Sequence, residues 1–570
     1  MNLCIGRFLE FTVIFRMIHG TRQILNAPPP LFPDESLLAV TGTLAHNRPP
    51  MNLHAQPRPP LLMAVAVALL SAGCAVGPNF KKPAAPEVGD YTQHPIAVTA
   101  AVPGAVGGDA QRFAKGTDIS REWWTLFHSA PLDELIEQSL KANQSIAQAE
   151  AAYRLAQATV LANTASLFPT ITAGASGSRA GTGAGAASSG TSTTSTSFPG
   201  VRNSVSANLS ASWELDLWGQ VRREVESAKE SAQASDAQLA GERLSIAAAL
   251  ATDYFQLRQA DVDIDLLKQQ QQIDTRILEM TQASFKEGIS SSDDVLTAQD
   301  TLEVVIADLQ TTETSREQDE HAIAVLIGVP PGGFSVEPEP HYAFVTPAVP
   351  LALPSQLLER RYDVVSAERT AAAANAKIGA AEAAFFPTLT LSAEGGYQHS
   401  ALANLFSLPN RFWTLGPALA GTIFDGGART AAVREARATY DENVASYRQA
   451  VLTAFQNVED GLSSWNHLQQ QADAFANIYR RNQQLFDSEH AQFQVGTVSE
   501  QALLTQQLTL LLAQQNLSDT QALLTQSSVS LVKNLGGGWQ WDDAKGVGVD
   551  AVATSGQQPA TATVSALPAR

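Results

Sequence analysis

The sequence predicts a mixed α and β membrane protein made of two tandem copies of one structural unit. Each copy supplies two membrane-length strands and one very long helix. The chain thus carries four strands of a transmembrane β-barrel, continued by a tube of helices. Three observations carry this expectation. Residues 204–216, S-V-S-A-N-L-S-A-S-W-E-L-D, alternate apolar and polar side chains at every position. The motifs of the first half recur in the second. Segments 220–287 and 428–495 each hold no proline and a single glycine, Gly241 and Gly461.

The N-terminal residues read as an address rather than as a fold. Residues 1–50 match no domain, and translation is expected to start at Met51, which leaves Cys4 without meaning. Residues 51–73 read as a lipoprotein signal peptide. Arg58 gives a cationic start, Leu61–Leu70 an apolar run, and Ser71-Ala72-Gly73 a small-residue stretch before Cys74. Cys74 is therefore the expected lipid-attachment site, carrying diacylglycerol and an N-acyl (palmitate) chain. Leucine usually stands three places before such a cysteine; here Ser71 does, with Leu70 one place earlier. An ordinary cleavage site beside an incidental cysteine is the alternative. Each buried CH₂ of an acyl chain adds about 0.8 kcal/mol, enough to hold residues 74–115, a lipid-anchored linker, at a membrane surface. No other cofactor is expected.

Repeat one is placed at 116–328 and repeat two at 355–538, joined by a Pro-rich linker, 329–354. LFPTITAGA (167–175) matches FFPTLTLSA (385–393), and FKEGISSSDDVLTAQ (285–299) matches FQVGTVSEQALLTQQ (493–507). Gly219 and Gly426 are 207 residues apart, Gly288 and Gly496 208. The one change of register is a Gly/Ser/Thr tract, 174–200, longer than its counterpart 394–411, as a surface hairpin loop permits. Residues 539–570 are expected to be a disordered tail.

Within each copy the order is helix, strand, loop, strand, long helix, sharp turn, helix. The strand pairs are 169–179 with 203–216 and 387–398 with 411–424, each about the length that crosses a bilayer at a tilt. Phe168, Trp213, Trp218, Phe385, Phe386 and Phe424 crowd the strand–helix junctions, and Trp413 lies in the fourth strand. Such aromatics suit a membrane–water boundary; core packing where strands meet helices is the other reading. Four strands cannot close a barrel, and lipid forbids an open edge. The chain must oligomerise: two copies give eight strands and a filled lumen, three give twelve and a water-filled one.

In segment 428–495 the residues Tyr440, Val444, Tyr447, Val451, Phe455, Val458, Leu462 and Trp465 step by three and four, as a supercoiled helix requires. At 1.5 Å per residue each long helix runs roughly 100 Å. The helices before the strands (131–166, 356–384) and after the turns (290–326, 498–534) are half as long. Two halves stacked match one long helix, which puts the Gly288 and Gly496 turns farthest from the membrane. Glycine there permits a left-handed C-cap.

The small-residue stretch ending in Cys74, followed by AVGPNFKKP, the repeated F-P-T strand start, and LPSQLLERRYDVVSAERTAAAANAKIGAAEAAFFPTLTL (353–391) resemble the TolC/NodT-type outer-membrane factors. The resemblance spans about 75–540 and is nearest to the lipoprotein branch serving resistance-nodulation-division (RND) pumps. It implies a homotrimer in the cell outer membrane, with a twelve-stranded barrel and a periplasmic α-helical barrel. It also implies a periplasmic adaptor docking at the Gly288 and Gly496 tips, and an inner-membrane RND pump beneath. The implied function is efflux of small molecules through a passive duct. Carried over by position, the periplasmic gate would involve Asp293 and Asp294 in copy one and Gln501 and Thr505 in copy two. Family members often have an acid where Thr505 stands, and proline where Tyr362 stands; little consequence is expected of the latter. Asp293 and Asp294 equally suit the first turn of the following helix, where carboxylates favour the dipole.

Thirty-seven Lys+Arg against 56 Asp+Glu give a net charge of −19, which excludes a nucleic-acid partner. The ten histidines show no metal spacing, and no G-x-x-x-x-G-K-[ST] is present, so neither metal nor nucleotide chemistry is expected and the chain is not read as an enzyme. Two alternatives stand beside efflux. One is a periplasmic coiled-coil structural lipoprotein, which leaves the four strands idle. The other is the same fold serving type I protein secretion.

Overall fold

A computed structural model describes residues 75–84, 119–181, 201–347 and 360–542, with the backbone of 547–550. Cys74, the signal peptide and everything upstream of it lie outside the described residues, as do most of the 74–115 linker and the tail beyond 550. After a short 3-10 turn at Trp123–Phe127 come α1 (Ala130–Ala142), α2 (Gln144–Ala165), β1 (Thr170–Gly181), β2 (Val201–Leu215), α3 (Gln220–Lys286) and α4 (Ser292–Leu326). The second copy follows as α5 (Tyr362–Ala383), β3 (Thr388–His399), β4 (Arg411–Ala420), α6 (Ala428–Gln494) and α7 (Glu500–Asn534), then β5 (Trp539–Asp542) and β6 (Val547–Asp550). The long helices α3 and α6 are both 67 residues. The chain divides into a sheet unit, built on Thr164–Glu224 and Ala376–Val433, and a helical unit containing the rest of the helices.

The sheet is antiparallel with strand order β1-β2-β3-β4, so β1 and β4 are its edges. Register keeps the alternation intact across all four strands. One row reads Ile171, Ala211, Ala393, Leu415; the next reads Thr172, Ser210, Glu394, Thr414. The polar face is knitted by its own side chains: Thr172 to Ser210 (2.7 Å), Ser176 to Ser206 (2.8 Å), and Asn208 Nδ2 donating to Glu394 (2.7 Å). β4 ends at Ala420 rather than at 424. Its partner there is Thr388, and the residue before that is Pro387, which has no N–H to extend the ladder. Ile423 and Phe424 therefore lie beyond the strand, in the bend that Gly426 and Gly427 complete at positive φ.

Each strand-to-helix junction uses the same cap. Asp216 accepts from the Val221 and Arg222 amides and from Arg222 Nε at 3.0 Å. Asp425 accepts from the Gly427 and Arg429 amides and from Arg429 Nε at 2.6 Å. An anion at a helix start satisfies orphan amides and complements the dipole.

In the helical unit the core gathers Trp123, Phe127, Leu132 and Ile136 against Leu250, Tyr254 and Phe255 of α3, Ile323 of α4, and Val529 and Val532 of α7. Along α6 the buried residues are Tyr447, Val451, Ala454, Val458, Leu462, Trp465 and Ala472; of the expected stripe Tyr440, Val444 and Phe455 are only half-buried. The helix expected over 131–166 is broken at Asn143. Its Oδ1 caps α2 by accepting from the Ser145 (2.8 Å) and Ile146 (3.2 Å) amides, and its Nδ2 donates to Leu326 O (2.8 Å).

Three further features differ from expectation. The inter-repeat linker is part of the core: Val336 and Phe344 are buried with it, and Tyr342 packs on it. Buried Asp261 accepts from Arg258 (2.9 Å), Arg316 (2.6 Å) and the Glu339 amide (3.0 Å), while the same two arginines donate to Glu337 O and Val336 O. The expected tail begins instead with a hairpin, β5 paired to β6, because Trp541 finds a buried seat against Ala237 and Val365. Tyr362 also matters, since its ring lies where a Cβ on Gly241 would have to go.

That contact inverts the usual preference of a helix. Gly241→Ala should lower the thermal midpoint of the helical circular-dichroism signal. Overpacking costs about 1–3 kcal/mol against a propensity gain of about 1 kcal/mol. Adding Tyr362→Ala should turn Gly241→Ala from harmful to neutral or stabilising.

Candidate functional site

The two tip turns share one construction. Gly288 (φ +75°) and Gly496 (φ +78°) take left-handed backbone. The next amide reaches back five residues in each, Ile289 to Ser284 O and Thr497 to Gln492 O, both at 2.9 Å. This closes α3 and α6 alike. Three residues on, Ser291 and Ser499 cap α4 and α7. A Cβ built at either glycine would meet nothing within 4 Å, so both turns are open to approach.

The copies then diverge. Asp294 Oδ2 accepts from the Ser291 amide at 2.8 Å while the Asp294 amide donates to Ser291 Oγ at 3.2 Å. This is a complete capping box, and its bonds hold the Asp294 carboxyl below its usual range. The matching residue in copy two is Ala502, so only the serine half remains. Copy two carries its acid at Glu500 instead. Arg276 of α3 donates to both Glu500 oxygens, from Nε at 2.7 Å and Nη2 at 3.1 Å, and this pairing draws the Glu500 carboxyl down. The structure thus assigns Asp294 to its own helix. Asp293 is exposed; its carboxylate accepts from the Ser292 hydroxyl at 3.3 Å and its carbonyl from Thr297 Oγ1 at 2.8 Å. Gln501 and Thr505 are exposed on α7, with Thr505 Oγ1 donating to Gln501 O at 2.8 Å. Among the described residues no hydrogen bond or ion pair joins either aspartate to Gln501 or Thr505.

Sequence reasoning missed the α3–α7 seam altogether. Val262, Leu266 and Ile273 of α3 pack on Leu511, with Leu504 and Leu508 beside them. A polar layer interrupts it. Gln259 Nε2 donates to Asp263 at 3.1 Å and also to Asp519. Burial, and then the neighbouring Asp519, push the Asp263 carboxyl up to about 7. On the same helix burial raises Asp253 to about 6, with Asp319 of α4 adding to it, and burial raises Asp319 to about 6.

The aromatic residues of the sheet sort by strand end. Trp213 Nε1 donates to Leu167 O (2.9 Å) and Trp218 Nε1 to Pro387 O (2.8 Å), while Trp218 stacks on Phe386 at 4.6 Å. With exposed Phe168 and Phe424 they collect where strands join helices. Trp413 does not belong there. It lies two residues into β4 from the hairpin loop, at the other end of the sheet. Among the described residues nothing covers the apolar face: Leu209 is 60%, Leu415 72% and Trp413 75% exposed.

The sequence profile of the family described as "Outer membrane efflux protein" matches residues 135–329 and again 353–537. The chain belongs to the outer membrane efflux protein family. Among its relatives is the probable efflux pump outer membrane protein TtgC of Pseudomonas putida. It is 30% identical over 483 residues, which cover 84% of this chain and 96% of that protein. The pyoverdine export outer membrane protein OpmQ of Pseudomonas aeruginosa is 32% identical over 74% of this chain and 88% of its own. The solved outer-membrane channel OprN superposes with a TM-score of 0.70 at 27% identity, covering 82% of this chain and 99% of that one. This efflux protein is accordingly an outer-membrane component with an efflux channel role, on a mainly helical α and β fold. No helix among its described residues is long and apolar enough to cross a membrane, and no cluster there could hold a metal ion.

The raised carboxyls fix a sign. A carboxyl that stays protonated to about pH 7 when folded, against its usual value near 3.8, binds more protons in the folded state across that window. Stability therefore falls as pH rises through it. The thermal midpoint of the helical signal should be higher at about pH 5.5 than at about pH 8. Asp263→Asn should flatten that difference and raise the midpoint at the higher pH. A midpoint indifferent to both changes would remove the layer from the stability balance.

Proposed function

We propose that the efflux protein is the passive outer-membrane duct of a tripartite RND-type pump, working as a homotrimer. One observation carries the reading: a four-stranded sheet with two open edges, one bare apolar face and one hydrogen-bonded polar face. Lipid tolerates no unpaired edge, and three copies supply twelve strands. The apolar faces then meet acyl chains and the serine- and threonine-rich faces line water. The family profile matching twice supports two tandem repeats.

The helices continue the duct into the periplasm, with the Gly288 and Gly496 turns at its far end offering the adaptor a docking surface. Cys74, acylated, anchors the N-terminal linker in the same membrane. Energy comes from the inner-membrane pump, and opening comes from tip helices shifting when adaptor and pump engage; the sequence carries no G-x-x-x-x-G-K-[ST] nucleotide motif. Asp293 forms the acidic ring at the aperture, because Asp294 is held by its capping box. Rings of side-chain carboxylates bind or select cations. Relatives are named for efflux and for pyoverdine export, which supports small organic cargo; the choice among cargoes rests with the pump.

Outer-membrane fractions should contain a trimer that migrates faster than the boiled monomer predicts. In planar bilayers Asp293→Asn should raise closed-state conductance, whereas Asp294→Asn should act mainly by loosening the first turn of α4. A lone folded monomer in detergent would sink the duct reading. Unchanged conductance in Asp293→Asn would sink only the gate.

A further inference from the structure

We propose that the hairpin end of the sheet's apolar face is a binding rim for phosphate-bearing lipid headgroups, with Arg179 and Arg411 as its phosphate ligands. The proposal rests on the barrel reading above.

The register assigns faces without ambiguity. Ile171, Ala173 and Ala175 of β1 share a face with Leu209, Ala211, Leu391 and Leu415, and the same alternation puts Arg179 on that face, opposite Asn203. Arg411 is opposite Tyr397 and shares that face with Trp413 and Leu415. No other Lys or Arg and no Asp or Glu occupies it: Glu214, Glu394 and Arg202 all fall on the polar face. The cations of the lipid side are thus confined to the end where the hairpin loops join the strands. Those loops, 182–200 and 400–410, contain no charged residue at all. Among the described residues neither Arg179 nor Arg411 has an ionic partner, and both are exposed.

Height places the rim at a headgroup level. From Trp213, in the aromatic belt at the helix end, to Asn203 is ten steps along β2. That is about 33 Å of strand, or about 25 Å along the normal at the usual tilt, the height of an apolar band. The greasy residues fill the interval and Arg179 sits at its end, while Arg411, opposite Tyr397 and through it in register with Ala207, sits four residues nearer the middle, within reach of the same headgroup layer for a side chain that extends toward it.

Closing the ring sharpens the case. Arg179 is on one edge strand and Arg411 on the other. Each junction between copies therefore sets the Arg179 strand of one chain beside the Arg411 strand of the next, both arginines at the hairpin end. Like charges on adjacent strands repel, and the protein supplies no anion to relieve them. A phosphate does, since guanidinium grips phosphate in a two-pronged, charge-assisted contact. In a barrel this makes three two-arginine seats facing outer-leaflet lipid. Arg202, at the same end but on the polar face, faces the lumen and is not a ligand.

The test uses the full-length trimer in detergent, with fluorescent bis-phosphorylated lipid A as probe and the same lipid stripped of phosphate as control. Wild type should prefer the phosphorylated lipid, and salt should weaken that preference. Arg179→Ala/Arg411→Ala, or the glutamine pair if the alanine pair does not assemble, should bind about tenfold more weakly or worse. Arg202→Ala should bind as wild type does. Equal binding of both lipids, an unaffected double variant, or an equal loss in Arg202→Ala overturns the rim. Planar-bilayer conductance separates the two readings. Channels that conduct but bind lipid indifferently refute the rim alone, whereas a preparation without channels refutes the barrel and the rim together.

Discussion

The unpaired backbone of β1 and β4 is the constraint on which the rest depends. In water an open edge is a hazard that side chains can blunt; in a hydrocarbon layer each unsatisfied amide costs several kcal/mol, and the only remedy is another strand. The sheet offers no other remedy among the described residues, since no helix or loop covers either edge or the apolar face. On the proposed duct reading, quaternary structure is written into a secondary-structure count. The same reading accounts for the small side chains, Ala and Gly beside Leu, on a face that would have acyl chains rather than a packed core to satisfy.

Polar groups buried in the helical unit follow a different rule. Asp261 is one carboxylate held between Arg258 and Arg316 and closed by a backbone amide, so its charge is fully compensated. Asp263 has the amides of Gln259 and Gln515 and the carboxyl of Asp519 beside it, and protonation is its cheapest relief. One helix thus carries both a charged knot that fixes the linker and, two residues on, a layer whose charge depends on pH. Removing a partner from the first strands a buried charge, whereas neutralising the second relieves one.

What the sequence made legible was periodic. Alternation located all four strands to within a few residues, and the absence of proline located both 67-residue helices. The doubled F-P-T motif marks the starts of β1 and β3, and the doubled tip glycine the ends of α3 and α6. What stayed hidden depended on residues far apart in the chain. Arg276 and Glu500 are separated by 224 positions, so no local pattern relates them. Ala502 facing the role that Asp294 plays could have been read from the aligned tips, and it marks where the copies part. Asn143 inside an alanine-rich run was the available sign of a helix break. The Tyr362 substitution was visible, but its neighbour Gly241 was not, because a glycine in a helix shows its reason only when something fills the missing side chain's place.

The linker's place in the core bears on how the chain can be divided. The family profile matches once on either side of it. Val336, Tyr342 and Phe344 complete a hydrophobic centre to which both sides contribute. Cutting the gene in two would leave one product bearing that segment and the other bare, so the connector that looks like a spacer in the sequence is the one stretch the two fragments could not share.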